Sequence, residues 1–195
     1  AAQFGCYIIL GSIKELYQDQ YYNTTYVIGE NGELITRYRK RRPWMIENVT
    51  AGTELGIFET KFGKIGILIC FDSEHENEDL MKEMMAQNPR FVFIPIDIAL
   101  PSYYHDENLR TATWKTAMRN VAMRFFPLAC KYDVTFVRAD FPYQKYTEEP
   151  TINYGTSVII KPYQIFTAPT WGECCFSTFV EDKMYKSAIG NYAVD

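Results

Sequence analysis

The stretch that decides the fold is residues 64–96, KIGILICFDSEHENEDLMKEMMAQNPRFVFIPI. Two continuous apolar runs, 65–70 and 91–96, enclose a polar segment with helical periodicity. A continuous apolar run bounded by polar residues is typical of a strand covered on both faces. The order strand, helix, strand therefore predicts two parallel strands joined by a right-handed crossover.

The polar segment predicts a helix that begins at Ser73, since Ser73 and Glu76 form an S-x-x-E capping box and Asn88-Pro89 ends the pattern. Its apolar stripe consists of Leu80, Met81, Met84 and Met85. We interpret this stripe as core packing rather than as a metal-binding group.

Outward from this unit, Asn31-Gly32 between two β-rich runs predicts a hairpin. Residues 41–56 have no clear period and predict a long loop, and residues 107–129 predict an amphipathic helix. Further apolar runs predict strands at 6–10, 134–139, 155–161, 164–168 and 176–181. The expected fold class is α/β, with a mixed sheet and helices on its outer face.

Composition narrows the function classes. A chain of 195 residues with 47% hydrophobic content fits one domain, and a net charge of −4 gives no sign of a nucleic-acid or membrane partner. The five cysteines are odd in number and irregular in spacing, which favours a reducing, cytoplasmic location. The chain has only two histidines and lacks the Cys and His spacing that is usual in zinc sites. No apolar run approaches the roughly 20 residues of a membrane span.

Cys70 ends the first apolar run and is followed at once by a polar, acidic segment. Chemistry in α/β sheets gathers beyond the carboxyl ends of strands, and the start of a helix there would favour the thiolate. A buried structural cysteine is an equally good reading of the position alone.

A basic run, ITRYRKRRP, occupies residues 35–43. Strand alternation places Lys40 on the same face as Tyr38, which predicts that Lys40 points inward while Arg37 and Arg39 point elsewhere. Two readings compete with a site lysine: a solvated basic edge strand, and a nucleic-acid binder using Arg37, Arg39, Lys40, Arg41 and Arg42.

Together these motifs resemble the nitrilase, or carbon–nitrogen hydrolase, superfamily, and Pro43-Trp44 after the lysine is more typical of its amidase-like branch. The resemblance runs in register over nearly the whole chain. It is carried by YYNTTYVIGENGELITRYRK (21–40), FGKIGILICFD (62–72), FVFIP (91–95), TWKTAMRNVAMR (113–124) and YGTSVIIKP (154–162).

The resemblance implies a four-layer α-β-β-α sandwich and hydrolysis of a non-peptide carbon–nitrogen bond, in an amide, nitrile or carbamoyl group, through a cysteine thioester. It makes Cys70 the nucleophile, Lys40 the site lysine and Glu47 the supporting glutamate, with the backbone N–H of Phe71 in the oxyanion hole. It also implies that the reaction needs no metal or organic cofactor. Family habit and the 16% aromatic content lead us to expect a homodimer or higher homo-oligomer acting on a small molecule.

The family's general-base glutamate lies well upstream of the lysine, and in residues 1–39 only Glu15, Glu30 and Glu33 are available. None matches, and Glu15 reads as a surface or supporting residue before a polar loop. We therefore expect residues 1–195 to be a single carbon–nitrogen hydrolase domain that is incomplete at its N-terminus. A non-catalytic relative that serves binding or assembly is the alternative.

A thiol-reactive probe separates an enzyme from a non-catalytic relative. If Cys70 is a nucleophile, the probe should modify it much faster than Cys6, Cys130, Cys174 or Cys175, because only an activated thiol is largely thiolate near neutral pH. Peptide mapping by mass spectrometry measures the five rates, and five similar rates would favour the non-catalytic relative.

Overall fold

The computed structural model describes residues 1–97, 99–100, 107–140, 152–153 and 155–167. The chain forms two compact units, the first made of residues 1–96 with 132–134 and the second of residues 97–131 with 135–195. No helix in the described ranges is long and apolar enough to cross a membrane.

The first unit begins with an antiparallel sheet of three strands, β1 (Ile8–Tyr17), β2 (Gln20–Ile28) and β3 (Leu34–Arg39), in that spatial order. The hairpin predicted at Asn31-Gly32 is confirmed, and a hydrogen bond from Gly29 N–H to the Glu33 carbonyl closes it at 2.8 Å.

Two expectations for this sheet are wrong. The run at 6–10 was expected to be buried, yet Leu10 is 50% exposed, because β1 is an edge strand. The polar stretch after Glu15 was expected to be a loop, but it is a second hairpin whose turn residues Gln18 and Asp19 both have positive φ. Tight hairpin turns of this handedness match the twist of the strands, so the polar tyrosine-rich sequence pairs as strand.

The second part of this unit contains the predicted strand–helix–strand order. Strand β4 (Ile57–Thr60) pairs antiparallel with β5 (Gly63–Ile67), and β5 pairs parallel with β6 (Phe91–Ile96) across helix α1 (Glu78–Ala86). The parallel pairing and the helix are confirmed.

The expected helix start at Ser73 is wrong. Strand β5 ends at Ile67, two short 3₁₀ turns follow at Cys70–Ser73 and His75–Asn77, and α1 begins only at Glu78. The Ser73 hydroxyl donates to the Cys70 carbonyl at 2.7 Å. Because this bond spans three residues, Ser73 closes the preceding tight turn instead of capping α1.

The core of this unit lies under α1. All four stripe residues are at most 2% exposed, which confirms their packing role. Gly66 of β5 permits the close approach, since a Cβ on it would lie 2.5 Å from the Met84 sulfur.

The second unit contains the long helix α2 (Glu107–Tyr132), three residues longer than predicted, and the antiparallel strands β8 (Thr135–Asp140), β10 (Val158–Lys161) and β11 (Gln164–Thr167). The short strands β7 (Ala99–Leu100) and β9 (Ile152–Asn153) pair separately. The buried face of α2 includes Trp114, Met118, Val121 and Phe125, in agreement with the predicted amphipathic helix. The strand predicted at 176–181 lies outside the described residues.

Glu15 has a structural role within the three-stranded sheet. Its carboxylate accepts hydrogen bonds from Arg39 Nε at 2.8 Å, Thr24 Oγ1 at 2.8 Å and Arg37 Nη1 at 3.0 Å. The bond from Arg39 is the main reason that the pKa of Glu15 falls to about 2, with Thr24 and the two arginine charges adding to it against the effect of burial.

We expect Glu15→Gln to destabilise the fold by up to about 3 kcal/mol at pH 7, since the depressed pKa is a measure of this stabilisation. The contribution is present above the pKa of an unfolded glutamate and is lost as the pH falls from 4.5 towards 2. Urea unfolding of both proteins across this range measures the difference, which should shrink at low pH. Glu59→Gln, at an exposed pair with Lys64, is the control. A constant difference would refute the ion-pair explanation.

Candidate active site

Lys40 follows β3 directly and is 1% exposed, which agrees with the inward direction predicted by alternation. Its backbone is held on both sides: its N–H donates to the Asn23 carbonyl and its carbonyl accepts from Gly52 N–H, both at 2.8 Å. Gly52 is required at this contact, because a Cβ there would lie 2.2 Å from the Arg39 carbonyl oxygen.

Glu47 is the counter-charge of Lys40. One carboxylate oxygen accepts from Lys40 Nζ and from the Trp44 N–H at 3.0 Å, and the other accepts from Asn23 Nδ2 at 2.9 Å. Burial alone would raise the pKa of Glu47, but the bonds from Lys40, Asn23 and Trp44 outweigh it and hold the pKa below the usual value. The predicted site lysine and supporting glutamate are therefore in direct contact. Asn23 is a member of this network that sequence reasoning missed, although it lies within the quoted YYNTT motif.

Cys70 opens the first 3₁₀ turn with a φ of 47° and is partly exposed. It is not in a disulfide. A non-glycine residue in the left-handed region costs on the order of 1–3 kcal/mol and persists only where its surroundings impose it. The thiol thus lies on a constrained turn three residues beyond the end of β5, and not at the end of the strand just ahead of the α-helix as expected.

Asp72 imposes that turn and was not identified from the sequence. It is fully buried, and its carboxylate accepts from the Tyr38 hydroxyl at 2.8 Å, from Ile69 N–H at 2.9 Å and from Arg42 N–H at 2.7 Å. Burial raises its pKa, although these hydrogen bonds and the charge of Lys40 oppose the rise. An acidic residue at the end of an apolar run was the available signal, but its long-range partners could not be read from the chain.

Phe71 makes a second link between the two segments. Its ring packs edge-on against Trp44, with ring centroids 4.7 Å apart, and its carbonyl accepts from Asn77 Nδ2 at 2.7 Å. Trp44 also donates its backbone N–H to Glu47. The loop that carries Glu47 is thereby attached to the turn that carries Cys70.

The remaining charges of the basic run are paired with carboxylates. Arg37 and Arg39 bind Glu15, Arg41 binds Glu83 and Arg42 binds Asp79. These pairs reduce the positive potential that a nucleic-acid backbone would need. The last two also join the segment after Lys40 to α1, the helix that follows Cys70.

Within the described residues, no group of three or more His, Cys, Asp or Glu side chains is arranged to hold a metal ion. The geometry instead presents a buried cation with its counter-ion, on a segment that the bond from Arg42 N–H to Asp72 fixes to the constrained cysteine turn. Such a combination can bind and polarise a carbonyl oxygen while a sulfur nucleophile attacks its carbon.

Comparisons with known proteins agree with this geometry. The sequence matches the carbon–nitrogen hydrolase family over residues 1–174. It is 27% identical over 134 residues to 2-oxoglutaramate amidase of Bacillus subtilis (strain 168), a match that covers 67% of this chain and 49% of the relative. The chain thus spans about half the length of this curated relative.

Two solved structures share the fold. A carbon–nitrogen hydrolase from Helicobacter pylori superposes with a TM-score of 0.71 at 16% identity, over 88% of this chain and 61% of the other. A mutant of an amidase from Nesterenkonia sp., with the acetamide moiety of fluoroacetamide covalently added at its active-site cysteine, superposes with a TM-score of 0.63 at 17% identity, over 87% of this chain and 60% of the other. The predicted nitrilase-type α/β fold is confirmed.

We expect Glu47→Gln to destabilise the protein at pH 7 by up to about 3–5 kcal/mol, because it leaves Lys40 buried without a counter-charge. Because the pKa of Glu47 is lowered, this stabilisation is present above pH 4.5, the ordinary pKa of a glutamate. It is lost as the pH falls through the lowered pKa of Glu47. Urea unfolding at pH 7 and at acidic pH measures both effects. Glu54→Gln, at an exposed position of the same loop, should be neutral. Equal stability of the two variants would contradict the assigned pairing.

Proposed function

Because the chain belongs to the carbon–nitrogen hydrolase family, we propose that it hydrolyses the carbon–nitrogen bond of a small-molecule amide through a thioester on Cys70. The observation that carries the proposal is the burial of Lys40 against Glu47, within a network that is tied to the Cys70 turn. A buried cation is costly unless it is paired, and structure alone rarely requires one.

In the first step, the Cys70 thiolate attacks the amide carbon, and the carbonyl oxygen becomes an oxyanion. Lys40 Nζ and the Phe71 N–H are the proposed donors to that oxygen, and they act in a partly dry site where charges are weakly screened. The oxyanion then collapses, the carbon–sulfur bond remains, and the carbon–nitrogen bond breaks. The nitrogen leaves as ammonia or an amine after taking the proton that the Cys70 thiol gave up on becoming a thiolate.

In the second step, water attacks the thioester carbon. The carbon–sulfur bond breaks, the carboxylic acid leaves, and one proton from water restores the thiol. The two steps together consume one water and release one acid and one amine, so no redox partner or other cofactor enters the balance.

The group that removes the proton from Cys70 is not assigned among the glutamates ahead of Lys40. Residues 1–39 are all described, and Glu15 binds arginines, Glu30 pairs with Lys61, and Glu33 accepts from Asn31 N–H. Glu47 keeps the supporting role, because its carboxylate is already committed to Lys40, Asn23 and Trp44.

The substrate class that we favour is a terminal amide, and a nitrile or carbamoyl group is the alternative. The matched relative is named for 2-oxoglutaramate, a dicarboxylic acid with one end amidated. An amide and a nitrile need different chemistry, since only the nitrile requires two waters to reach the acid.

We also propose that the protein works as a homodimer or higher homo-oligomer in a reducing, cytoplasmic environment. Exposed apolar side chains along β1, such as Leu10 and Leu16, support association. Cys6, Cys70 and Cys130 are not in disulfides, which suits a reducing compartment. Light scattering that shows a monomer at micromolar concentration would contradict the proposed homo-oligomer.

The decisive experiment follows ammonia release from 2-oxoglutaramate by the purified protein. Wild type should release ammonia, and Cys70→Ser should abolish the release, because serine is a far weaker nucleophile at neutral pH. Cys130→Ser is the matched control and should keep the wild-type rate. Mass spectrometry should detect an acyl adduct on Cys70 at short times. An unchanged rate in Cys70→Ser would refute the assignment.

A further inference from the structure

We propose that Asp72 is the positioning residue that holds Lys40 and Cys70 in register, and that its carboxylate must be ionised for hydrolysis to occur. This inference rests on the proposed function and adds to it a residue that does not itself touch the reacting atoms.

The placement of its partners carries the inference. Tyr38 and Arg42, which both donate to Asp72, lie two residues before and two residues after Lys40. Ile69, the third donor, lies immediately before Cys70, and Asp72 itself lies two residues after it. The partners of this one carboxylate therefore flank Lys40 on both sides in sequence, and Ile69 and Asp72 flank Cys70 in the same way.

The charge state of Asp72 matters because all three partners are donors. A carboxylate offers only acceptors. Its Oδ2 accepts hydrogen bonds from the Tyr38 hydroxyl and the Ile69 N–H, and its Oδ1 accepts one from the Arg42 N–H. Protonation puts a hydrogen on one of these oxygens, and an amide replaces one of them with an NH₂ group. Either change places a donor opposite the backbone N–H of Ile69 or of Arg42, neither of which can accept. Asp72 and Tyr38 are at most 2% exposed, so water does not readily replace the lost bond.

The backbone at Cys70 shows why this register needs to be enforced. With a φ of 47°, the residue occupies a conformation that a cysteine leaves unless it is held. The bond from Ile69 N–H to Asp72 Oδ2 closes the chain around Cys70, and the bond from Arg42 N–H fixes that closed turn to the segment of Lys40. Loss of the acceptor would let the thiol move relative to the lysine.

A nearby pair provides the matched control. Asp79 also joins the segment of Lys40 to that of Cys70, through the Arg42 side chain at 2.8 Å, but in this pair the Asp79 side chain is 68% exposed and that of Arg42 is 37% exposed. Exposed ion pairs contribute little, and solvent compensates their loss. Asp79→Asn therefore removes a carboxylate that links the same two segments without disturbing the buried network.

Titration of Asp72 gives the proposal a distinct signature. The titratable groups that act on it are Tyr38 from β3 and Lys40 from the following loop, and burial raises its pKa. As the pH falls through the raised pKa of Asp72, a proton binds to a carboxylate oxygen that has to accept a hydrogen bond. Activity should therefore fall at a higher pH than an ordinary aspartate would dictate.

The test compares Asp72→Asn, Tyr38→Phe and Asp79→Asn by kcat, KM and the pH profile of Cys70 alkylation by iodoacetamide, with circular dichroism as the check on folding. For Asp72→Asn we expect kcat to fall about 100-fold, as for a misplaced reacting group, while KM changes far less. In its alkylation profile, the step that follows the titration of Asp72 should disappear, and the acidic limb set by the Cys70 thiol itself should remain. Tyr38→Phe should lose part of kcat, and Asp79→Asn should match wild type.

Several results would overturn the proposal. A folded Asp72→Asn with the wild-type kcat and alkylation profile is one, and equal losses in Asp72→Asn and Asp79→Asn are another. If Asp72→Asn does not fold, an unaltered kcat and profile in Tyr38→Phe overturns it instead. Failure of the wild type to hydrolyse any amide would refute the proposed function alone, since the alkylation profiles still decide whether Asp72 positions Cys70.

Discussion

The need to neutralise one buried cation organises the first unit of this protein. Lys40 is removed from water, so a counter-charge and hydrogen-bond acceptors have to be brought to it. Glu47 supplies the charge from seven residues further along the chain, and Asn23 and Trp44 hold Glu47 in place from a strand and from the loop. The long irregular loop, which looks unstructured in the sequence, is ordered around this requirement.

The site combines two kinds of polar burial with different purposes. The Lys40–Glu47 pair keeps a positive charge available where an oxygen would become negative. The Asp72 cluster carries the opposite sign and binds mainly backbone groups, so it acts on the path of the chain more than on a ligand. The two networks meet because Tyr38, near the end of β3, and Lys40, directly after β3, both point inward, so the alternation of one strand end couples fold and chemistry.

Much of the fold, and part of the candidate site, could be predicted from local sequence patterns. Continuous apolar runs gave the parallel β5–β6 pair, helical spacing gave the buried face of α1, and alternation gave the inward direction of Lys40. The predictions failed where contacts distant in sequence decide the outcome. Ser73 reads as a helix cap, yet it bonds back to Cys70, and the polar strand after Glu15 reads as a loop until its partners are known. Asp72 was missed for the same reason, because two of its three donors, Tyr38 and Arg42, lie 34 and 30 residues away in the chain.

The left-handed, partly open position of Cys70 has a consequence for the life of the protein in an aerobic cell. A partly exposed thiol is within reach of hydrogen peroxide, and a thiolate is oxidised to sulfenic acid more readily than a thiol. The described contacts of this turn include a carboxylate and aromatic rings. An external reductant would restore an oxidised Cys70, so the redox state of the surroundings would set how long each molecule stays competent.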